Sequence, residues 1–279
     1  MNSATSSPLR MLINGQDSVT LSAQDRGLLY GDGLFETLAV RNAVPLRWER
    51  HLQRLILGCE RLGIPCPDVS ALTIESLELC KGHDRAVLKL IVTRGVGGRG
   101  YRAPAQPQPT RILSRHPWPD YPIGNARDGV RVRLCGTRLA RQPALAGIKH
   151  LNRLEQVLAR AEWADEEIAE GLLFDCEDHV IEGTMSNLFL VSDAQLVTPD
   201  LSDCGVAGIM RAMIIEIAAA LGVNCVVRAV ARAELFDAAE LLLCNSLIGL
   251  WPVRQLDTRQ LVPGPVTRRL QEALEQQHD

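Results

Sequence analysis

No two of the eight cysteines form a C-x-x-C pair, and the six histidines are equally scattered. Neither residue type shows metal-ligand spacing, so the sequence points to no metal site. Cys59, Cys66, Cys80, Cys135, Cys176, Cys204, Cys225 and Cys244 lie mostly in apolar stretches. Reduced, buried thiols in a cytoplasmic protein are the expectation. Excess charge is missing too. A net value of −3 gives no case for a nucleic-acid or membrane-surface partner. No apolar run is long enough to span a bilayer. The opening MNSATSSPLR has no apolar centre, does not read as a secretory signal, and is expected to be a floppy extension over residues 1–10. Internal repeats, low-complexity tracts, a P-loop and a dinucleotide fingerprint are all absent.

What is present fits an ordinary globular chain. Its 279 residues are 46% hydrophobic and 23% charged, enough for one large domain or two of usual size. MLING and DSVTLS read as a hairpin turned at NGQ. LFETLAV and AVPLRW read as a second, joined through Arg41 and Asn42. In ERHLQRLILGCERLGI, Leu52, Leu55, Ile56, Cys59 and Leu62 repeat at helical spacing, and Gly63 and Pro65 end the helix. Asp68 suits the cap of a helix through VSALTIESLELC. AVLKLIVTR and TRILSRH read as paired strands separated by the long, Gly- and Pro-rich GVGGRGYRAPAQPQP. Loops of that length inside compact domains are often functional.

The Pro-rich HPWPDYPIGNARDG marks the best domain boundary. Beyond it VRVRLCG, GLLFDC, HVIEG, NLFLVS, CVVRAV and ELLLCN read as strands, with Asp178 in a turn. LNRLEQVLARAEWA, GIMRAMIIEIAAALG, RAELFDAA and PVTRRLQEALEQQ read as helices. Several strands follow one another with no helix between them. The expectation is therefore an α/β protein of two domains with mixed, largely antiparallel sheets and surrounding helices. The smaller domain is placed at 11–116, a linker at 117–129 and the larger domain at 130–279.

Four places carry candidate chemistry. Lys149 follows the small residues ALAG, and apolar surroundings would favour its neutral, nucleophilic amine; a solvated charge fits the same pattern. Glu182 ends an apolar strand, where it suits either a partner for a cationic ring nitrogen or a plain turn carboxylate. Gly205 and Gly208 precede a long helix whose free N–H groups attract phosphate, although glycines there also serve simple turns. Arg54 lies one turn from His51 on the same helical face, and either binds phosphate with its fork or points out to solvent. Together an amine, a carboxylate and a phosphate cradle match what pyridoxal phosphate needs.

The ordered set DRGLLYGDGLFET, HLQRL, GIKHLNRLEQ, EGTMSNLFLV, GVAGIMR and CNSLIGLWPV, from about Met11 onward, resembles the fold-type IV pyridoxal-phosphate enzymes. These include branched-chain and D-amino-acid aminotransferases and aminodeoxychorismate lyases. The resemblance implies pyridoxal 5'-phosphate as cofactor. It implies that Lys149 joins the cofactor and shuttles protons, and that Glu182 pairs with the pyridine nitrogen. Arg54 and the backbone at Ile209 and Met210 would hold the phosphate, with a hydroxyl from Ser246. Asn245 and Thr184 would neighbour the site. Arg99 and Tyr101 match a carboxylate-binding pair on a loop that tends to reach across a dimer in this family. Tyr30, Phe35 and Thr37 match the strand that faces the cofactor, although D-amino-acid aminotransferases carry tyrosine where Phe35 stands.

TRGVGGRGY and LAGIKHLNRLEQVLAR are most similar to the lyase branch. That branch implies conversion of 4-amino-4-deoxychorismate to 4-aminobenzoate and pyruvate on the folate route. Lys149, Glu182 and Tyr101 would then be catalytic, and Tyr30, Thr37, Arg99, Tyr101 and Asn245 would surround the substrate. A homodimer is implied. An aminotransferase on the same scaffold, or a non-catalytic binding protein of the same fold, are the alternatives.

Overall fold

An Asn-Gly pair opens the first sheet. In the computed structural model, which describes residues 10–193 and 195–277, β1 (Arg10–Ile13) and β2 (Gln16–Asp17) pair antiparallel with Ile13 opposite Gln16. Asn14 and Gly15, at φ 51° and 81°, form the two-residue turn whose twist suits a hairpin. Residues 1–9 of the expected extension lie outside the described residues. α1 (Arg26–Tyr30) is capped by Asp25. β3 (Gly33–Arg41) turns into β4 (Val44–Pro45) through Asn42 and Ala43, at φ 49° and 64°, one residue later than the sequence suggested. α2 (Trp48–Leu62) and α3 (Val69–Cys80) follow, the latter capped by Asp68 as expected. β5 (Arg85–Thr93) and β6 (Thr110–Pro117) complete an all-antiparallel sheet of order β2-β1-β6-β5-β3-β4.

Alternation along β3 divides its residues between two faces. Leu34, Glu36 and Leu38 share one, with Phe35 and Thr37 on the other. The first face meets α2, whose buried His51, Leu52, Leu55, Gly58 and Cys59 form its inner stripe. Gly58 is there for closeness: a Cβ would lie 2.8 Å from the Leu34 methyls.

The second sheet is mixed. α4 (Gly124–Asp128) forms within the stretch expected as linker. Then come β7 (Val130–Arg138), α5 (Leu154–Arg160), β8 (Ile168–Phe174), β9 (Val180–Gly183), β10 (Asn187–Ser192) and β11 (Gln195–Pro199). α6 (Ile209–Ala220), β12 (Cys225–Arg228), α7 (Glu234–Asp237), β13 (Glu240–Asn245), β14 (Gly249–Leu256), β15 (Arg259–Gln260) and α8 (Pro265–Gln276) complete the chain. The order is β12-β11-β10-β13-β14-β7-β8-β9, with β15 on β14. β11 with β12, β14 with β7, and β7 with β8 are parallel. β10 and β13 alternate between two cores. Leu188, Leu190, Leu241 and Leu243 enter one with Val132, Leu172 and Trp251. Phe189, Val191, Leu242 and Cys244 enter the other under α6 and α8.

By contact the chain forms two compact units. One runs to Asp120 and includes Ile148–Asn152; the other takes Tyr121–Gly147 and the residues from Arg153 onward. The short Lys149 segment, expected with the second half, joins the first because its backbone bonds to β3. The Phe35 N–H donates to the Lys149 carbonyl at 2.9 Å, and Leu151 N–H to the Gly33 carbonyl at 3.0 Å.

Candidate functional site

In the first unit, pairing with β3 sets where Lys149 points. Gly33 lets the segment approach, since a Cβ would lie 2.8 Å from a Leu151 methyl and 2.5 Å from the Val92 carbonyl oxygen. Lys149 is half-buried, with Nζ 4.4 Å from the centre of the Phe35 ring. That ring's negative face attracts an ammonium. Lys89 Nζ lies 5.5 Å from the same ring, and Thr37 sits opposite Lys89 in the register.

Glu36 stands beside Phe35 in sequence and holds Arg54. Arg54 Nε donates to Glu36 Oε1 at 2.8 Å and Nη2 to Oε2 at 2.5 Å; His51 Nδ1 lies 2.6 Å from Oε2. Glu36 is 1% exposed. Burial alone would raise its pKa, yet the charge and hydrogen bonds of Arg54, helped by His51, hold the carboxyl at about 2. Burial works the other way on His51 and favours its neutral form, so its Nδ1–H is the donor. The fork-to-carboxylate pair fixes the Arg54 guanidinium plane.

Still in the first unit, α1 and the connection from β5 to β6 lie together. The Gly100 N–H donates to the Tyr30 hydroxyl at 3.3 Å, and the Tyr30 and Tyr101 rings are 5.4 Å apart. Arg99 is exposed, and Tyr101 is 86% exposed.

In the second unit Glu182 is the penultimate residue of β9 and is buried, with Oε2 accepting from the Val206 N–H at 2.8 Å. Asn187 Nδ2 donates to the Val206 carbonyl at 2.9 Å, so one loop residue is tied to both side chains. Gly208 precedes α6 with no side-chain cap. A Cβ on it would fall 2.0 Å from Asn187 Oδ1, so a larger residue here must displace the Asn187 side chain. Ile209 and Met210, both buried, begin the helix, and its first amides, with no side-chain cap, are of the kind that can bind an anion. Thr184 belongs to the turn after Glu182. Glu170, buried, accepts from the N–H and hydroxyl of Thr184 at 2.9 and 2.5 Å, from the Met185 N–H at 3.1 Å and from the Ser186 hydroxyl at 2.7 Å. Asn245 uses its amide on backbone: Nδ2 donates to the Met185 carbonyl, while Oδ1 accepts from the N–H groups of Leu247 and Ile248. It thereby shapes the turn that carries half-buried Ser246.

The first unit therefore gathers Lys149, Phe35 and Thr37 around β3, Arg54 on Glu36, and Tyr30 with Tyr101. The second gathers Glu182 with the start of α6, and Thr184 near Asn245. Sequence reasoning assigned no role to Glu36, Glu170 or Asn187. The first two left a signal: each is a carboxylate inside a strand otherwise rich in apolar residues, which demands a buried partner. Asp175, Glu177 and His179 also lie close enough to share an ion. They are a turn in which Asp175 Oδ1 accepts from the N–H groups of the other two.

The sequence profile of the class IV amino-transferase family matches residues 33–256. The chain is similar to the crystal structure of 4-amino-4-deoxychorismate lyase from Pseudomonas aeruginosa, with a TM-score of 0.92 and 55% identity, over 95% of this chain and 98% of that one. It is 36% identical to the aminodeoxychorismate lyase of Vibrio harveyi over 93% of this chain and 97% of that protein. A hypothetical aminotransferase from Mycobacterium tuberculosis, in its PLP-bound form, matches with a TM-score of 0.81 and 25% identity over 96% of this chain and 98% of that one.

Proposed function

Because this chain belongs to the class IV amino-transferase family, we propose that it is a pyridoxal 5'-phosphate-dependent carbon–oxygen lyase that converts 4-amino-4-deoxychorismate to 4-aminobenzoate and pyruvate. The observation that carries this is the 55% identity to the Pseudomonas aeruginosa lyase across nearly the whole of both chains. The residues present fit the cofactor chemically. A half-buried lysine suits its aldehyde, a buried carboxylate its ring nitrogen, and uncapped helix amides behind a glycine its phosphate.

Lys149 would hold the cofactor aldehyde, Glu182 the ring nitrogen, and Ile209, Met210, Arg54 and Ser246 the phosphate. When bound, the cofactor supplies an electron sink. Once the substrate amine has displaced it from the aldehyde, the freed Lys149 Nζ removes the proton from the ring carbon that bears that amine. Enolpyruvate leaves from the adjacent carbon with the electron pair of the broken carbon–oxygen bond. The ring becomes aromatic, which drives the step, and protonation completes pyruvate. The proton donor is Lys149 as an ammonium or the Tyr101 hydroxyl. Arg99 binds a substrate carboxylate, with Tyr30, Thr37 and Asn245 shaping the surroundings. The working form is a cytoplasmic homodimer, in which the exposed Arg99 and Tyr101 serve the neighbouring copy.

One assay tests the reaction: pyruvate release from aminodeoxychorismate, set beside amino transfer from D-alanine and branched-chain amino acids. Elimination should dominate. Amino transfer that outpaces it would make the protein an aminotransferase on the same scaffold.

A further inference from the structure

Asp25 and Arg26 stand next to each other and reach opposite ends of one loop. Asp25, fully buried, accepts at Oδ2 from the hydroxyls of Thr93 at 3.0 Å and Thr110 at 2.8 Å. Thr93 is the last residue of β5 and Thr110 the first of β6, so one carboxylate closes the stem of the connection. Gly95 tightens that stem: its N–H donates to the Thr93 hydroxyl at 3.0 Å, and its carbonyl accepts from Arg26 N–H at 2.9 Å.

Arg26 fastens the tip. It is 4% exposed, and both terminal nitrogens of its guanidinium donate to backbone. Nη1 reaches the carbonyls of Gly100 at 3.0 Å and Arg102 at 3.4 Å, and Nη2 that of Tyr101 at 2.9 Å. Nε donates to Asp32 Oδ2 at 2.8 Å, and Asp32 is in turn gripped by Arg94. Burial tends to raise the Asp32 carboxyl, but Arg94 and Arg26 outweigh it and hold the group ionised. The guanidinium also lies 4.9 Å from the Tyr30 ring centre. Gly97 packs on the arginine stem, where a Cβ would come 2.7 Å from Arg26 Cδ.

A buried charge needs partners, and three consecutive loop carbonyls supply them. Those carbonyls flank exposed side chains: the backbone is held while Tyr101, leaning on Tyr30, is 86% exposed. Flexible loops do not combine a backbone so fully engaged with so exposed an aromatic. We infer that Arg26 is a positioning residue that, with Asp25, fixes the backbone of 97–102 so that Arg99 and Tyr101 are presented pre-ordered to a carboxylate-bearing substrate. The inference rests on the lyase reading for the identity of that substrate. A lysine cannot replace Arg26 fully, because an ammonium has no planar fork to span three carbonyls.

The test uses the cofactor-loaded protein and the variants Arg26→Met and Arg26→Lys. Two measurements are made on each: amide exchange at Gly97 and Gly100, and steady-state pyruvate release from aminodeoxychorismate. The Gly97 and Gly100 N–H groups bond to the Gln24 carbonyl and the Tyr30 hydroxyl. In Arg26→Met both amides should exchange about tenfold faster or more. KM should rise about tenfold while kcat stays within about threefold, and cofactor absorbance should be unchanged. Arg26→Lys, which keeps the charge beside Asp32 if the methionine variant does not fold, should fall between it and the parent. Unchanged exchange in a folded variant overturns the clamp. Loosened amides with an unchanged KM overturn the link to substrate. A parent protein that releases no pyruvate refutes the lyase reading instead, and amide exchange then decides the clamp alone.

Discussion

A carboxylate among leucines decides how Arg54 is used. Glu36 shares its face of β3 with Leu34 and Leu38, and its charge survives there only because Arg54 and His51 meet it. With its folded pKa at about 2, the group's stabilisation is complete above an unfolded value of ~4.3 and is lost as pH falls from there toward 2. Glu36→Gln should therefore cost roughly 3 kcal/mol near neutral pH. The gap between the two thermal midpoints should close in acid. A gap that persists unchanged at pH 3 would mean that the carboxylate charge is not what stabilises this pair. Lys149→Ala tests the neighbouring residue. Pyruvate release should drop by ~10³-fold or more, and the visible absorbance of the bound cofactor should disappear. Release at the parent rate would remove Lys149 from the reaction.

At the scale of elements, the start of α6 is the feature most open to a small change. Its amides can face an anion because Gly208 leaves room beside Asn187. Gly208→Ala puts a methyl 2.0 Å from Asn187 Oδ1, and one of them must move. Cofactor affinity, measured by titrating cofactor-free protein, should weaken about tenfold or more, with the fold kept. Undiminished affinity would show that the phosphate is held elsewhere. Most elements around this helix were legible in the sequence because their patterns are simple. Period-two runs such as VRVRLCG, the stripe of α2 and the cap at Asp68 each follow from local rules. β11 and β14 were not seen as strands: two-sided burial blurs alternation in QLVTP and GLWPVRQL. α1 and α4, at five residues each, are too short to carry a period.

The candidate site was legible only in pieces. Lys149, Glu182, Arg54 and the glycines before α6 could each be picked out and given a chemical reason. Their supports could not. Glu36, Asn187 and Arg26 act through partners such as Arg54, Val206 and Gly100, 18, 19 and 74 residues away, and no local rule pairs them. For the whole molecule, a homodimer should appear in light scattering as a particle of twice the chain's mass. Full activity from particles of single-chain mass would end that part of the proposal.

The pairing of Lys149 with β3 also has a bearing on how the protein is made. β4 covers β3 only at Val40 and Arg41, and the other end of that edge is bonded by residues 149–151. A nascent chain emerges from its N-terminus, so the ribosome must add more than a hundred residues after β3 before this edge can be closed. Until then the first unit waits with backbone groups unsatisfied, the kind of delay in which chaperones find their clients. The lysine proposed to run the chemistry is thus carried by one of the last pieces the first unit receives.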